Sequence, residues 1–166
     1  REMLDIMSFW LEMGVDGFRV DMAASLVKGD VDGKAMRRHW AGVRQWMKKR
    51  YPEAMLIAEW SDPCKAIPAG FHVDFMIHFG TPAYTSLFRA EQERSTLPCA
   101  EPGHSFFDRK GKGDIQIFME HYWKAYEKTR RKGYISLPTS NHDITRLNAG
   151  RSMPELKVAM AFLLTM

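Results

Sequence analysis

Cysteine is scarce. Cys64 and Cys99 are the only two in 166 residues, they form no Cys-x-x-Cys pair, and they make no disulfide framework. They read as free thiols and do not specify a compartment. No run of about 18 apolar residues occurs, so no membrane-spanning helix is expected. His39, His72, His78, His104 and His121 show no metal-ligand spacing and read as surface or core residues. Asp30 and Asp32 sit in a loop without the twelve-residue pattern of a calcium hand, so a plain turn is the expectation there. No 20–50-residue repeat is visible. The basic runs, from Arg37-Arg38 to Lys48-Lys49-Arg50 and from Lys128 to Lys132, have no aromatic-rich recognition motif. They read as solvated helix faces, and no nucleic-acid or membrane partner is expected.

What is present is an ordinary globular mixture. Hydrophobic residues make 45% and charged residues 27%, with a net charge of +4. That length and composition can build a real core. The twelve Met and five Trp mostly follow helical spacing and read as core filling.

In order, residues 1–13 place Met3, Ile6, Met7, Trp10 and Leu11 at helical spacing, and Gly14 stops the pattern. Residues 15–20 form a first strand. A Gly- and Asp-rich loop leads to a helix over 34–50, whose apolar stripe is Trp40, Val43, Trp46 and Met47. Tyr51-Pro52 ends it. Residues 54–58 are continuously apolar, as in a strand buried on both faces. A Pro-containing connection over 61–70, with a weak or shortened helix, precedes a third strand over 73–79. Residues 80–113 are irregular, with a short helix near 82–92. A strong helix over 115–131 turns Ile117, Phe118, His121, Tyr122 and Tyr126 inward. A fourth strand over 134–137, a loop over 138–150 and an apolar helix over 155–166 complete the chain. Buried strands joined by helical crossovers predict a parallel sheet with right-handed connections.

The chemistry concentrates at strand ends. Strand side chains alternate faces, so Arg19 and Asp21 share a side while Phe18 and Val20 point towards helices. A carboxylate ending a buried strand is costly unless paired or used; as bare pattern, a structural ion pair and a catalytic group fit equally well. Two more carboxylates follow: Glu59 ends the second strand, and Asp143 lies just past the fourth. The gaps are 38 and 84 residues. A (β/α)8 barrel unit takes roughly 30 residues before insertions, and its strand ends converge on one face. One unit and then two units fit those gaps. Three carboxylates would then share a pocket with Arg19, His142 and Arg146. Glycosidic bond cleavage needs such a set, with one carboxyl protonated as acid and another ionised as nucleophile or base.

Gly17-Phe18-Arg19-Val20-Asp21, Ala58-Glu59-Trp60 and Ser140-Asn141-His142-Asp143 resemble, in order and context, three signature regions of the α-amylase family of glycoside hydrolases. The resemblance spans nearly the whole chain, from the helix before the fourth strand of that barrel to the helix after the seventh. It implies α/β architecture, with residues 1–166 as part, about half, of a (β/α)8 catalytic domain of a longer protein. It implies that Asp21 is the nucleophile, Glu59 the general acid/base and Asp143 the residue that stabilises the distorted sugar. Arg19 would orient Asp21 and favour its ionised form. His142 and Arg146 would contact sugar hydroxyls or the other carboxylates.

The implied reaction is retaining hydrolysis of α-glucans or maltooligosaccharides through a covalent glycosyl-aspartate. Transglycosylation or isomerisation by the same first step is the alternative, as is a non-catalytic carbohydrate-binding role; the intact carboxylate trio argues against the last. No metal or cofactor is expected within this segment, since the inserted domain that usually carries calcium ligands in this family would lie outside it. The sequence departs from the family after the nucleophile. Ala24 and Ser25 stand where a Lys-His pair is common, which leaves open the contacts to the sugar beyond the cleavage point. The isolated segment is expected to be inactive and to self-associate through the edges of its outer strands; a clean monomer in light scattering would contradict the latter.

Overall fold

The computed structural model describes residues 1–76, 84, 87–88, 106–107, 109, 115–143, 146–149 and 151–166. Its elements run α1 (Glu2–Glu12), β1 (Gly17–Val20), α2 (Lys34–Arg50), β2 (Met55–Ala58), α3 (Pro63–Ala69), β3 (Val73–Phe75), α4 (Ile115–Thr129), β4 (Tyr134–Ser136) and α5 (Met153–Thr165). The strands form one parallel sheet in the order β1-β2-β3-β4. Four parallel strands interleaved with helices are the architecture of consecutive (β/α)8 units, and β1 and β4 are the outer strands of this sheet. The predicted order of elements holds. The continuation of the third strand over 77–79 and most of the helix near 82–92 lie outside the described residues.

The chain divides into two compact units. The first comprises residues 1–75 and 128–136 and contains the whole sheet; the second comprises residues 76–127 and 137–166.

In the first unit, α2 shows how the loop before it starts a helix. The two carboxylate oxygens of Asp30 accept the N–H groups of Ala35 and Met36 at 3.1 and 2.7 Å, and Asp32 accepts that of Lys34 at 3.1 Å. These are the orphan donors of a first turn, so both aspartates cap a helix. Lys48, Lys49 and Arg50 crowd the last turn, where the helix dipole favours cations. The buried stripe is Met36, Trp40, Val43 and Met47; the basic residues around it are exposed except Arg44, which is half-buried. That stripe packs with Leu56, Ala58, Ala66 and Phe71, and Phe18 and Val20 pack against it.

Three readings of burial change. Leu56 and Ala58 are fully buried, but Met55 is exposed and Ile57 only half-buried; β2 is therefore packed completely on the helix-facing side alone. On α1, Met7 is buried, yet Ile6 and Trp10 are exposed. They line an open apolar groove with Met3, Val15 and Phe18. On α4 the buried stripe is Phe118, Tyr122, Ala125 and Thr129, leaving Ile117 and His121 exposed. Apolar residues border that stripe on both sides, so periodicity alone leaves its centre undetermined by about one position.

Gly17 is required where β1 meets β2. Its φ is +152°, and a Cβ there would lie 2.1 Å from the Met55 carbonyl oxygen, so only glycine admits this approach. The second unit is built on aromatic contacts. Phe88 stacks on Phe107, and Phe107 and Phe118 both meet Phe162. Helix α5 opens with a capping box, in which Ser152 and Glu155 satisfy each other's backbone N–H groups.

Candidate active site

Register brings the first two carboxylates together. Arg19 pairs with Ile57 and Val20 with Ala58, so the next positions, Asp21 and Glu59, leave neighbouring strands side by side. Glu59 N–H donates to the Val20 carbonyl at 3.0 Å, and Ala23 N–H donates to the Glu59 carbonyl at 3.2 Å. Glu59 is thus tied through both its backbone groups to the chain at the carboxyl end of β1.

One guanidinium joins them. Arg19 Nη1 lies 2.6 Å from Asp21 Oδ1, and Nη2 lies 2.6 Å from Glu59 Oε1. The guanidinium also sits over the Phe75 ring, 5.9 Å from its centroid, a distance at which a cation is attracted by the ring face. The two acids differ in surroundings: the Asp21 side chain is 69% exposed and that of Glu59 only 5%. Burial pushes the Glu59 carboxyl above its ordinary pKa, and the Asp21 carboxyl acts the same way. The N–H of Met22, donated to Oε2 at 3.1 Å, and the Arg19 charge oppose it. Met22 reaches that donor position through a left-handed backbone, with φ 44°, a conformation strained for a residue with a side chain. Two carboxyls held together in unlike environments can divide the roles of acid and nucleophile.

Trp60 packs edge-on to Phe71 with ring centroids 6.3 Å apart. It also lines, with Ala24, Met36 and Lys65, a pocket of about 450 Å³. His72 serves the sheet: its Nδ1 accepts the Leu56 N–H at 2.9 Å.

Sequence reasoning passed over Asp74. It lies in β3, fully buried, and its Oδ1 accepts the N–H groups of Trp60 and Ser61 at 3.1 and 3.3 Å. Its Oδ2 is buried without a hydrogen-bond partner of its own, although the N–H groups of Asp62 and Phe75 lie near enough to favour the charge. Burial dominates and pushes the carboxyl from its ordinary 3.8 up to about 7. The available signal was a lone acid flanked by Val73 and Phe75 in a buried strand, which is unfavourable without partners.

A stability effect follows. Between roughly pH 4 and 7 the unfolded chain has lost this proton while the fold retains it, so the unfolded state binds fewer protons and stability falls as pH rises. The loss levels off above about pH 7, where both states are ionised. At about 1.4 kcal/mol per pKa unit, its full extent is on the order of 4 kcal/mol. Urea midpoints measured from pH 4 to 8 should therefore decline in the wild type relative to Asp74→Asn. Parallel profiles would contradict a raised Asp74.

The remaining predicted residues belong to the second unit. Asn141 Oδ1 accepts the N–H of Asp143 at 2.9 Å, an Asx turn. His142 Nε2 lies 3.4 Å from Asp143 Oδ2, with both side chains exposed. Arg146 is exposed and reaches the Ser140 hydroxyl at 3.4 Å. The structure thus gathers Arg19, Asp21 and Glu59 into one cluster in the first unit. In the second it pairs His142 with Asp143 and turns Arg146 to Ser140. Among the described residues no group of three or more His, Cys, Asp or Glu side chains could hold a metal ion. Among them also, no helix is long and apolar enough to cross a membrane.

Compared with known protein families, residues 1–166 match the model described as alpha amylase, catalytic domain. No curated protein matches.

Proposed function

The chain belongs to the alpha-amylase catalytic-domain family, and from that premise we propose that it carries the catalytic carboxylates of a retaining glycoside hydrolase acting on α-glucans or maltooligosaccharides. The family makes a carbohydrate substrate the frame. The observation that carries the finer reading is the Arg19 guanidinium bridging an exposed Asp21 and a buried Glu59.

In the first step an Asp21 carboxylate oxygen attacks the anomeric carbon. The bond from that carbon to the leaving oxygen breaks, and Glu59 gives its proton to that oxygen. Glu59 suits the acid role because burial favours its neutral form. Asp21, exposed and paired with a cation, suits the ionised nucleophile. In the second step an incoming hydroxyl loses its proton to the Glu59 carboxylate as its oxygen attacks the anomeric carbon and Asp21 departs. Water as acceptor gives hydrolysis; a sugar hydroxyl gives transfer. Asp143 is proposed to stabilise the distorted sugar carrying positive charge, and His142 and Arg146 to contact sugar hydroxyls.

Two displacements at one carbon preserve configuration. The complete protein, including whatever sequence lies outside these 166 residues, should release α-configured reducing ends from a maltooligosaccharide. Proton NMR of the first products reads this directly. A β-configured product would overturn the covalent route, and no cleavage of any α-glucan would overturn the enzymatic reading. Longer oligosaccharides among those products would identify a sugar as the acceptor.

A further inference from the structure

On one side, Glu59 is anchored to β1 and the turn after it by backbone hydrogen bonds to Val20 and from Ala23. On the other side the sheet gives out. The β2–β3 pairing ends at Ala58 opposite Asp74, just before Glu59. Beyond it a side chain replaces the ladder: Asp74 Oδ1 accepts the N–H groups of Trp60 and Ser61, the two residues that follow Glu59. The turn there is sharp, since Ser61 adopts φ 58° and is 1% exposed. Asp74 pairs across the sheet with Ala58, whose side chain lies on the opposite face of β2 from that of Glu59. Asp74 therefore acts on the backbone at Glu59, not on its carboxyl.

We propose that Asp74 is a positioning residue for the general acid/base: by holding Trp60 and Ser61 it sets the direction in which the chain leaves Glu59, and so aims the Glu59 carboxyl at Arg19 and Met22. This rests on the reading of Glu59 as acid/base. A buried carboxylate placed only for stability has no reason to affect one proton transfer selectively. A group that aims the acid does.

The test uses leaving groups that differ in their need for a proton. A natural maltooligosaccharide leaves as a poor alkoxide and requires the acid. A dinitrophenyl maltoside departs without it. In the complete protein, Asp74→Ala should lower kcat/KM on the oligosaccharide by about 10–100-fold, the scale of loss when a catalytic group is misplaced by around 1 Å. On the dinitrophenyl substrate the loss should stay within about threefold, because misplacing the acid leaves that first step intact. Asp74→Asn should recover most of the oligosaccharide rate, since its amide oxygen still accepts both N–H groups. If Asp74→Ala does not fold, Asp74→Ser, which leaves a smaller void, should show the same split. Equal losses on both substrates, no loss on either, or an Asn variant as poor as Ala or Ser would each overturn the positioning role. Glu59→Gln separates the two readings. Without a split in Glu59→Gln, the acid/base assignment itself fails and this inference with it. With a split there but none at Asp74, only the inference fails.

Discussion

Asp21→Asn should abolish glycoside cleavage, with a fall in kcat/KM on maltooligosaccharides of on the order of 10⁵-fold or more, the scale seen when a covalent catalyst loses its nucleophile. The amide matches the carboxylate in shape but is not a nucleophile towards the anomeric carbon. It also forfeits the 2.6 Å ion pair with Arg19 Nη1. Stability should barely change: the Asp21 side chain is 69% exposed, and surface substitutions of this kind typically stay within about 0.5 kcal/mol. Reducing-end assays on the complete protein, with circular dichroism to confirm an unchanged fold, make the comparison. Retention of a tenth of the wild-type rate would remove Asp21 from the nucleophile role and leave Arg19–Asp21 as a supporting ion pair.

Glu59→Gln should be nearly as damaging on natural substrates, by about 10²–10⁴-fold, the usual contribution of a positioned acid or base. The pattern of that loss matters more than its size. With a dinitrophenyl maltoside the first step should survive and the intermediate accumulate, because the second step lacks its base. Azide attacks without being deprotonated, so adding it should restore turnover and yield a glycosyl azide. The pH profile gives an independent reading. The acid must be protonated, so kcat/KM falls as pH rises through the pKa of Glu59. Burial has moved that value upward, so the alkaline limb should lie above the ordinary carboxylate range. It should disappear in Glu59→Gln. A limb in the ordinary carboxylate range, or a variant that azide does not rescue, would contradict the assignment.

The elements were legible because periodicity and punctuation agreed along the chain. Helix α2 occupies the predicted residues 34–50 because Gly33, an apolar stripe and Tyr51-Pro52 define its ends and face together. The strand between β2 and β4 among the described residues was implied by a gap between acids about twice the preceding one. Faces were harder to read. On α1 and α4 apolar residues surround the buried stripe, and which of them packs depends on neighbours that local pattern does not name. Asp30 and Asp32 read as turn residues, yet they cap α2, because their partners are backbone groups of the next element. Asp74 escaped notice for a related reason. Its partners, Trp60 and Ser61, lie 14 and 13 residues away along the chain and are backbone N–H groups, which carry no residue identity.

By itself, the sequence determined the α/β alternation, the parallel sheet and the kind of chemistry on offer, because hydrophobic period and residue type are local quantities. Its three acid-ending segments also carried the family resemblance. Only the tertiary structure decided that Arg19 grips Asp21 and Glu59 at once, that burial separates the two acids, and that a third carboxyl holds the turn behind Glu59. Those outcomes depend on strand register, strand order and local dielectric, which arise when segments distant in the chain pack together.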